Sequence, residues 1–325
     1  MRPTWPLLLM TGLQGLAGGL FATLAWMGLA WGGRAVPLAV WADLSRVGLV
    51  LVAAGGVASI FHMHRLAGAR FVLRRLATSW LSREVVTTAA FGLGAAVVVG
   101  LPLVHAVGSG WYVGGDVVVG VLGLTAMYTT AMIYASIPAM LSWHSPLTVL
   151  AMMGTGLLSG SLWVKTGWDL ASAGAPSARG LDDAIWLGMA MWTVVKVLQL
   201  RLFHEARARL RAETGLGLAL QPHRLLDTGT TRPPYRTQPQ VWIGAGYRLR
   251  AAMLASLALA VACIVPLTAI EAGWAGLAGA VAAAWSVYAD RWLFFADATH
   301  SSRVFFPNAG QLDARMRSSR TGLES

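Results

Sequence analysis

The chain has 325 residues and a net charge of +11; 56% of its residues are hydrophobic and only 12% are charged, with a mean hydropathy of +0.60. Soluble domains carry about 25% charged residues, so this composition predicts an integral membrane protein. The single cysteine, Cys263, excludes disulfides, iron–sulfur ligation and covalent c-type haem attachment within this chain, because each needs more than one cysteine.

Eight apolar segments are long enough to cross a bilayer as helices, which takes about 20 residues. The predicted spans cover residues 5–31, 38–63, 83–107, 116–139, 146–166, 183–203, 248–270 and 273–296. The short connection before Pro146 predicts a helical hairpin between the fourth and fifth spans. We therefore predict one all-α transmembrane domain over residues 1–325, an eight-helix bundle with a hydrophilic loop at 204–247 and a polar tail at 303–325.

Basic residues outside the spans are unevenly distributed. With eight spans, both termini and three loops share one side of the membrane, and that side holds nineteen arginines. The other side holds only Arg34, Lys165 and Arg179. The positive-inside rule then predicts a bacterial inner-membrane protein with both termini in the cytoplasm. Because the positive charge is explained by topology and by contact with membrane lipid, we predict no nucleic-acid partner.

Ionisable residues flank the loop between the second and third spans. His62 and His64 end the second span, and Glu84 opens the third. Charge is costly in lipid, so ionisable groups at a membrane boundary are functional candidates. A carboxylate at a helix N-terminus is favoured by the helix dipole, which alone explains Glu84. A carboxylate opposite an imidazole also suits proton transfer to a quinone, and both interpretations stay open.

The last span carries a second group of ionisable residues in the sequence DRWLFFADATH, namely Asp290, Arg291, Asp297 and His300. Asp290 and Arg291 suit either a structural ion pair or a role in which Arg291 stabilises negative charge on a reduced quinone. Tyr134, late in the fourth span, could hydrogen-bond a quinone carbonyl or cap a helix. Lys196 is expected to snorkel to the membrane interface.

A haem b held by two histidines is an alternative use of these residues. His62 or His64 paired with His300 is the pairing on one side of the membrane that this alternative would use. No predicted span carries two histidines at mid-membrane depth, so the spacing favours a quinone over haem b.

The stretch from His62 to Glu84 resembles the membrane-anchor subunit family of dimethyl sulfoxide reductase. The resemblance rests on the eight spans, the histidine that ends the second span and the sequence TSWLSREV that opens the third. It implies quinone binding at His62 and Glu84, with Ser79 in the same motif. We expect one cytoplasmic-side site to be formed by the set His62, Ser79, Glu84, Tyr134, Arg291, Asp297 and His300.

Anchors of this family serve a three-part enzyme. The resemblance therefore implies two partners, a catalytic subunit with a molybdenum cofactor and a ferredoxin-like subunit with four iron–sulfur clusters. The sequences TAMIYASI, WHSP and DRWLFFADATH are similar to the branch that anchors a cytoplasmic sulfite-oxidising molybdoenzyme. The chain is then expected to pass electrons to ubiquinone or menaquinone, without transforming sulfite itself. The iron–sulfur subunit is predicted to dock on Arg65, Arg70, Arg74 and Arg75.

Three other functions stay open from the sequence. The chain could anchor an enzyme of the dimethyl sulfoxide reductase type that oxidises menaquinol, or it could be a structural anchor with quinone bound elsewhere. A transporter would use Asp290 and Arg291 as coupling residues. Transporters often show inverted repeats, and no internal repeat is visible here.

Overall fold

The computed structural model describes residues 4–31, 37–62, 72–171, 179–208, 254 and 272–296. All the elements in this part of the chain are helical. The seven α-helices are α1 (Trp5–Trp31), α2 (Leu38–His62), α3 (Trp80–Gly100), α4 (Ser109–Ala135), α5 (Pro146–Ala171), α6 (Arg179–Ala208) and α7 (Ala272–Ala296). Two short 3-10 turns, Leu73–Arg75 and Leu101–Leu103, flank α3.

Within the described part of the chain, six helices, α1 to α6, are long and apolar enough to cross a membrane. This confirms the all-α membrane class. The helix α7 coincides with the predicted last span, whereas the predicted span 248–270 lies outside the described residues. The count of eight therefore stays a prediction.

Helix α3 begins at Trp80, before the predicted start at residue 83, because Ser79 caps it. Ser79 has an extended backbone (φ −123°, ψ 120°), and its Oγ accepts a hydrogen bond from the Ser82 backbone N–H at 3.4 Å. A side-chain oxygen at this position satisfies one of the N–H groups that have no partner within the helix. The cap fixes where α3 enters the bundle and so sets the depth of Glu84.

Helix α1 is the centre of the bundle and packs against α2, α4, α5 and α7. Glycines allow the close approach. A Cβ added to Gly156 would lie 2.7 Å from the Gly15 carbonyl oxygen, and one added to Gly123 would lie 3.0 Å from the Gly18 Cα. Small residues permit this packing between helices in lipid, where the hydrophobic effect does not drive their association.

Contacts between side chains fix the direction of each helix. Phe61 at the end of α2 meets Trp5 at the start of α1, and Thr130 late in α4 meets Glu84 early in α3. Phe294 of α7 packs on Trp143, just before α5 begins, and lies beside Phe203 late in α6. We call this side of the bundle the Trp80 end, where α1, α3 and α5 begin and α2, α4, α6 and α7 end.

Candidate functional site

Glu84 lies in the second turn of α3 and is directed into the bundle, with only 6% of its surface exposed. Its Oε1 accepts a hydrogen bond from Thr130 Oγ1 of α4 at 2.8 Å. A buried carboxylate in an apolar helix is costly unless it is hydrogen-bonded. Glu84 is therefore stabilised both by its position near the N-terminus of α3 and by its hydrogen bond from Thr130 of α4.

A small cavity lies beside this hydrogen bond, between α1, α4, α5 and α7. It has room for about one water molecule. Its walls contain a guanidinium group, an amide, two hydroxyl groups, two thioethers and one glycine. The lining residues are Thr11, Gln14, Gly15, Met127, Thr130, Met152 and Arg291. Because Thr130 both lines the cavity and bonds Glu84, it connects the carboxylate to this enclosed polar space.

Arg291 reaches the cavity from α7 and is only 2% exposed. Its Nη2 donates to the Met152 carbonyl oxygen at 3.0 Å, and its Nη1 lies 3.6 Å from Asp290 Oδ2. Among the described residues, neither Nε nor Nη1 has a hydrogen-bond partner. Buried donors without partners are rare and costly in proteins, so these two N–H groups mark a candidate ligand position.

Lys196 does not snorkel to the interface, and that expectation is wrong. It is 5% exposed, and its Nζ lies 2.5 Å from Asp290 Oδ1 and 2.9 Å from Gln199 Oε1. Asp290 Oδ2 in turn accepts a hydrogen bond from Thr155 Oγ1 at 3.1 Å. The side chain of Lys196 turns inward because Asp290 offers a buried counter-charge, which joins α5, α6 and α7.

Tyr134 belongs to a group of packed aromatic rings, with Trp143, Phe294 and Phe295. Its ring centroid lies 5.2 to 5.4 Å from those of the other three, in edge-on contacts. Trp143 Nε1 donates to the Phe294 carbonyl oxygen at 3.1 Å. Tyr134 and Phe295 each lie one turn beyond a cavity residue, so the aromatic group separates the cavity from the Trp80 end.

The structure therefore brings together Glu84, Tyr134 and Arg291 from the predicted site. His62 ends α2 at the same end of the bundle, although its side chain is not described. The predictions for His64, Arg65, Arg70, Asp297 and His300 lie outside the described residues.

Ser79 is occupied as the cap of α3 and does not line the cavity. Arg74 and Arg75 are exposed in the 3-10 turn before α3.

Sequence reasoning missed the uncharged members of the cavity. Gln14 donates to Thr88 Oγ1 at 2.6 Å and so joins α1 to α3. It is the one amide in a span without charge, and that contrast was a usable signal. Threonines and methionines are common in apolar helices, so nothing in the pattern distinguishes Thr130, Met127 or Met152.

Two further polar groups lie at the opposite end of the bundle. The Trp41 indole N–H donates to the buried Asp116, and the Ser45 hydroxyl lies 3.3 Å from the same carboxylate. Lys165 Nζ pairs with Asp169 at 2.5 Å and lies 3.6 Å from Asp182. Each buried carboxylate here faces a hydrogen-bond donor or a lysine, which is consistent with a structural role.

Two comparisons place the chain among known proteins. It is similar to the C subunit of a sulfite dehydrogenase from Allochromatium vinosum, with 33% identity over 174 residues, which is 49% of this chain and 53% of the relative. The chain thus spans about half the length of the curated relative it matches. The family described as DMSO reductase anchor subunit (DmsC) matches residues 1–206, which is more than half of the sequence. The chain therefore belongs to the DMSO reductase anchor subunit (DmsC) family.

Proposed function

We propose that this chain is the quinone-reactive membrane anchor of a molybdenum and iron–sulfur oxidoreductase that oxidises sulfite to sulfate. Electrons would enter from an iron–sulfur subunit docked at the Trp80 end and leave on quinone. Family membership supports the anchor role and favours it over a transporter. The choice of sulfite rests on the name of the similar sulfite dehydrogenase protein.

The observation that carries the proposal is the pair of unpartnered Arg291 N–H groups beside an enclosed polar cavity. A quinone headgroup presents carbonyl oxygens, which are acceptors for such donors. Tyr134 lies one turn beyond Thr130 on α4, and its ring packs against Phe295, one turn beyond Arg291 on α7. The donor set therefore fits a quinone carbonyl.

The size of the cavity sets a condition on this fit. A cavity for about one water does not admit a quinone ring. The thioether side chains of Met127 and Met152 form part of its wall, and methionine is flexible enough to repack around a ligand. We therefore expect the ring to enter by displacing these two side chains.

When bound, quinone is the acceptor of two electrons and two protons. The residues of this chain would stabilise the developing charge, deliver protons and exclude bulk water. Arg291 holds a positive charge where negative charge develops, which is an effective form of electrostatic stabilisation in a dry site. Glu84 carries a proton from the Trp80 end, and Thr130 connects it to the cavity. The packed apolar helices exclude bulk water from both.

Docking of the iron–sulfur subunit is proposed at the exposed Arg74 and Arg75, together with Arg65 and Arg70. Arg83 has a different role. Its guanidinium donates to the carbonyl oxygens of Leu76 and Ala77 at 2.8 and 2.7 Å and lies over the Trp80 ring at 4.2 Å. Arg83 thus holds the end of the loop against α3, while Arg74 and Arg75 face outward.

The test is Glu84→Gln, which keeps the size and polarity of the side chain but removes its exchangeable proton. We expect quinone-coupled turnover of the membrane-bound complex to fall by about 100-fold or more, because general acid–base groups contribute at least that much. Oxidation of substrate by an artificial dye should persist, since the dye draws electrons from the soluble subunits. His62→Leu is expected to give the same pattern.

Asp116→Asn is the matched control. It alters another buried, hydrogen-bonded carboxylate, but at the opposite end of the bundle. Quinone-coupled turnover should stay near the wild-type rate in this variant. Normal quinone turnover in Glu84→Gln and His62→Leu would show that the quinone site lies elsewhere.

A further inference from the structure

Three charged side chains form one buried group on α6 and α7, namely Lys196, Asp290 and Arg291. Asp290 is 4% exposed, and the two cations are exposed no more than 5%. One carboxylate faces two cations, so the group carries a net positive charge. A structural ion pair needs only one cation for Asp290, and Lys196 at 2.5 Å already supplies it. The second cation is surplus to that structural need.

Only one member of this group is suited to release a proton. The guanidinium of Arg291 is not deprotonated in proteins. Buried lysine ammonium groups, in contrast, can lose their proton and act as bases. Loss of one proton from Lys196 would leave Asp290 and Arg291 as a neutral pair, so the release removes the excess charge.

Lys196 also lies between the Trp80 end and the cavity. Gln199, one turn closer to that end on α6, accepts its hydrogen bond at 2.9 Å. Gln199 Nε2 is buried and has no hydrogen-bond partner among the described residues. On the other side, Asp290 Oδ2 lies 3.6 Å from Arg291 Nη1, one of the two N–H groups proposed to hold the quinone oxygen at the cavity. This second polar route approaches from α6, whereas Glu84 approaches from α3.

We infer that Lys196 is a proton-relay residue that delivers the second proton of the quinone reaction, and that the Asp290 carboxylate both positions Lys196 and passes its proton on. The inference rests on the proposed function. Two electrons come from the iron–sulfur partner, one proton comes from Glu84, and the other leaves Lys196. An N–H bond at Nζ breaks as the Asp290 carboxylate takes the proton, and the new Asp290 O–H bond breaks as an O–H bond of the quinol forms. Lys196 then regains a proton from water at the Trp80 end, on the side where Gln199 lies.

Lys196→Arg tests the relay, because arginine keeps the positive charge and the pairing with Asp290 but does not release its proton. We expect kcat for quinone to fall by about 100-fold, in the range of general acid–base effects, with KM changed by less than about twofold. The measurement uses the membrane-bound complex and the electron donor that supports wild-type turnover. Binding of a fluorescent hydroxyquinoline N-oxide, a quinol analogue, should stay within about twofold of wild type.

Lys165→Arg is the matched control, since Lys165 is also a buried lysine paired with an aspartate, but at the opposite end. Its kcat should be that of the wild type. A purely structural Lys196 would tolerate arginine, so an unchanged kcat in Lys196→Arg overturns the inference.

If arginine at position 196 prevents assembly of the complex, Gln199→Leu replaces Lys196→Arg as the test. A kcat reduced by about tenfold or more supports the relay, and an unchanged kcat refutes it.

The outcomes separate this inference from the proposed function. Loss of quinone turnover in Glu84→Gln with normal turnover in Lys196→Arg would refute the relay and keep the quinone site. Normal turnover in both variants, with normal analogue binding, would refute both.

Discussion

Arg291 combines near-complete burial with two nitrogens, Nε and Nη1, that have no hydrogen-bond partner among the described residues. Replacement by lysine keeps the charge but removes the planar fork of donors. If these donors hold quinone, Arg291→Lys should weaken binding of the fluorescent quinol analogue by about tenfold, the loss expected for a charge-assisted hydrogen bond. Fluorescence titration of the purified complex measures this.

Arg46→Lys provides the comparison for that variant. Arg46 is an exposed arginine paired with Asp43 on α2, away from the cavity. Its replacement should leave analogue binding unchanged. Equal affinities for wild type and Arg291→Lys would place the binding site away from Arg291.

At the scale of single residues, charge made the site partly predictable. Glu84 and Arg291 stand out in apolar spans because lipid penalises ionisable groups. The position of Lys196 could not be predicted, since it depends on which face of α6 packs against α7. Spacing along one helix does not determine that face. The hydroxyls of Thr11 and Thr130 could not be predicted as cavity residues either, because they matter only where four helices meet.

Among the elements, α1 depends most on close packing. A Cβ on Gly19 would overlap the Gly156 backbone of α5, and backbone atoms cannot move aside as a side chain can. Gly19→Ala should therefore destabilise the protein by about 1–3 kcal/mol, as overpacking typically does. Thermal unfolding in detergent and the amount of protein in membranes are the measurements.

Gly56→Ala, within α2, is the control for Gly19→Ala, because a Cβ on Gly56 meets nothing within 4 Å. Its stability should match or slightly exceed that of the wild type, since alanine is favoured over glycine within helices by up to about 1 kcal/mol. Equal stability of the two variants would show that the α1–α5 contact is looser than the structure indicates.

The existence of the helices could be predicted from apolar length, but several of their ends could not. Helix α4 begins at Ser109, whereas the predicted span begins at residue 116. The intervening sequence contains three glycines and polar groups, which lower hydropathy without preventing a helix in a packed bundle. Hydropathy reports where lipid contact is favourable, whereas caps and tertiary packing decide where a helix starts.

Over the whole molecule, the directions of α6 and α7 constrain the topology. Helix α6 ends at the Trp80 end and α7 begins at the opposite end, so we expect the chain between them to cross the membrane. The basic asymmetry predicts that the Trp80 end is cytoplasmic. A reporter that is active only in the periplasm should be silent when fused after Ser325 and active when fused after Ala171. The reverse result would contradict the predicted orientation and the resemblance to anchors of a cytoplasmic sulfite-oxidising enzyme.

Docking is the second prediction for the assembled complex. Exposed cations that face a partner mainly set its registration and association rate. Reversal of both Arg74 and Arg75 to glutamate should release the soluble subunits into the cytosol while the chain stays in the membrane. Fractionation and immunodetection measure the distribution. The double lysine variant should keep the complex together, and retention by the glutamate variant would limit these arginines to a topological role.

The aromatic group of Tyr134, Trp143, Phe294 and Phe295 affects the proposed transfer of electrons and protons differently. Electrons tunnel through closely packed rings, whereas protons move only along hydrogen-bonded groups or water. A ring cluster between the partner's docking face and the cavity would therefore allow electron tunnelling and block proton transfer. Protons would be confined to the flanks, at Glu84 on α3 and Lys196 on α6. Because electrons and protons would then take different routes, a change at Glu84 or Lys196 would slow proton delivery without slowing electron transfer.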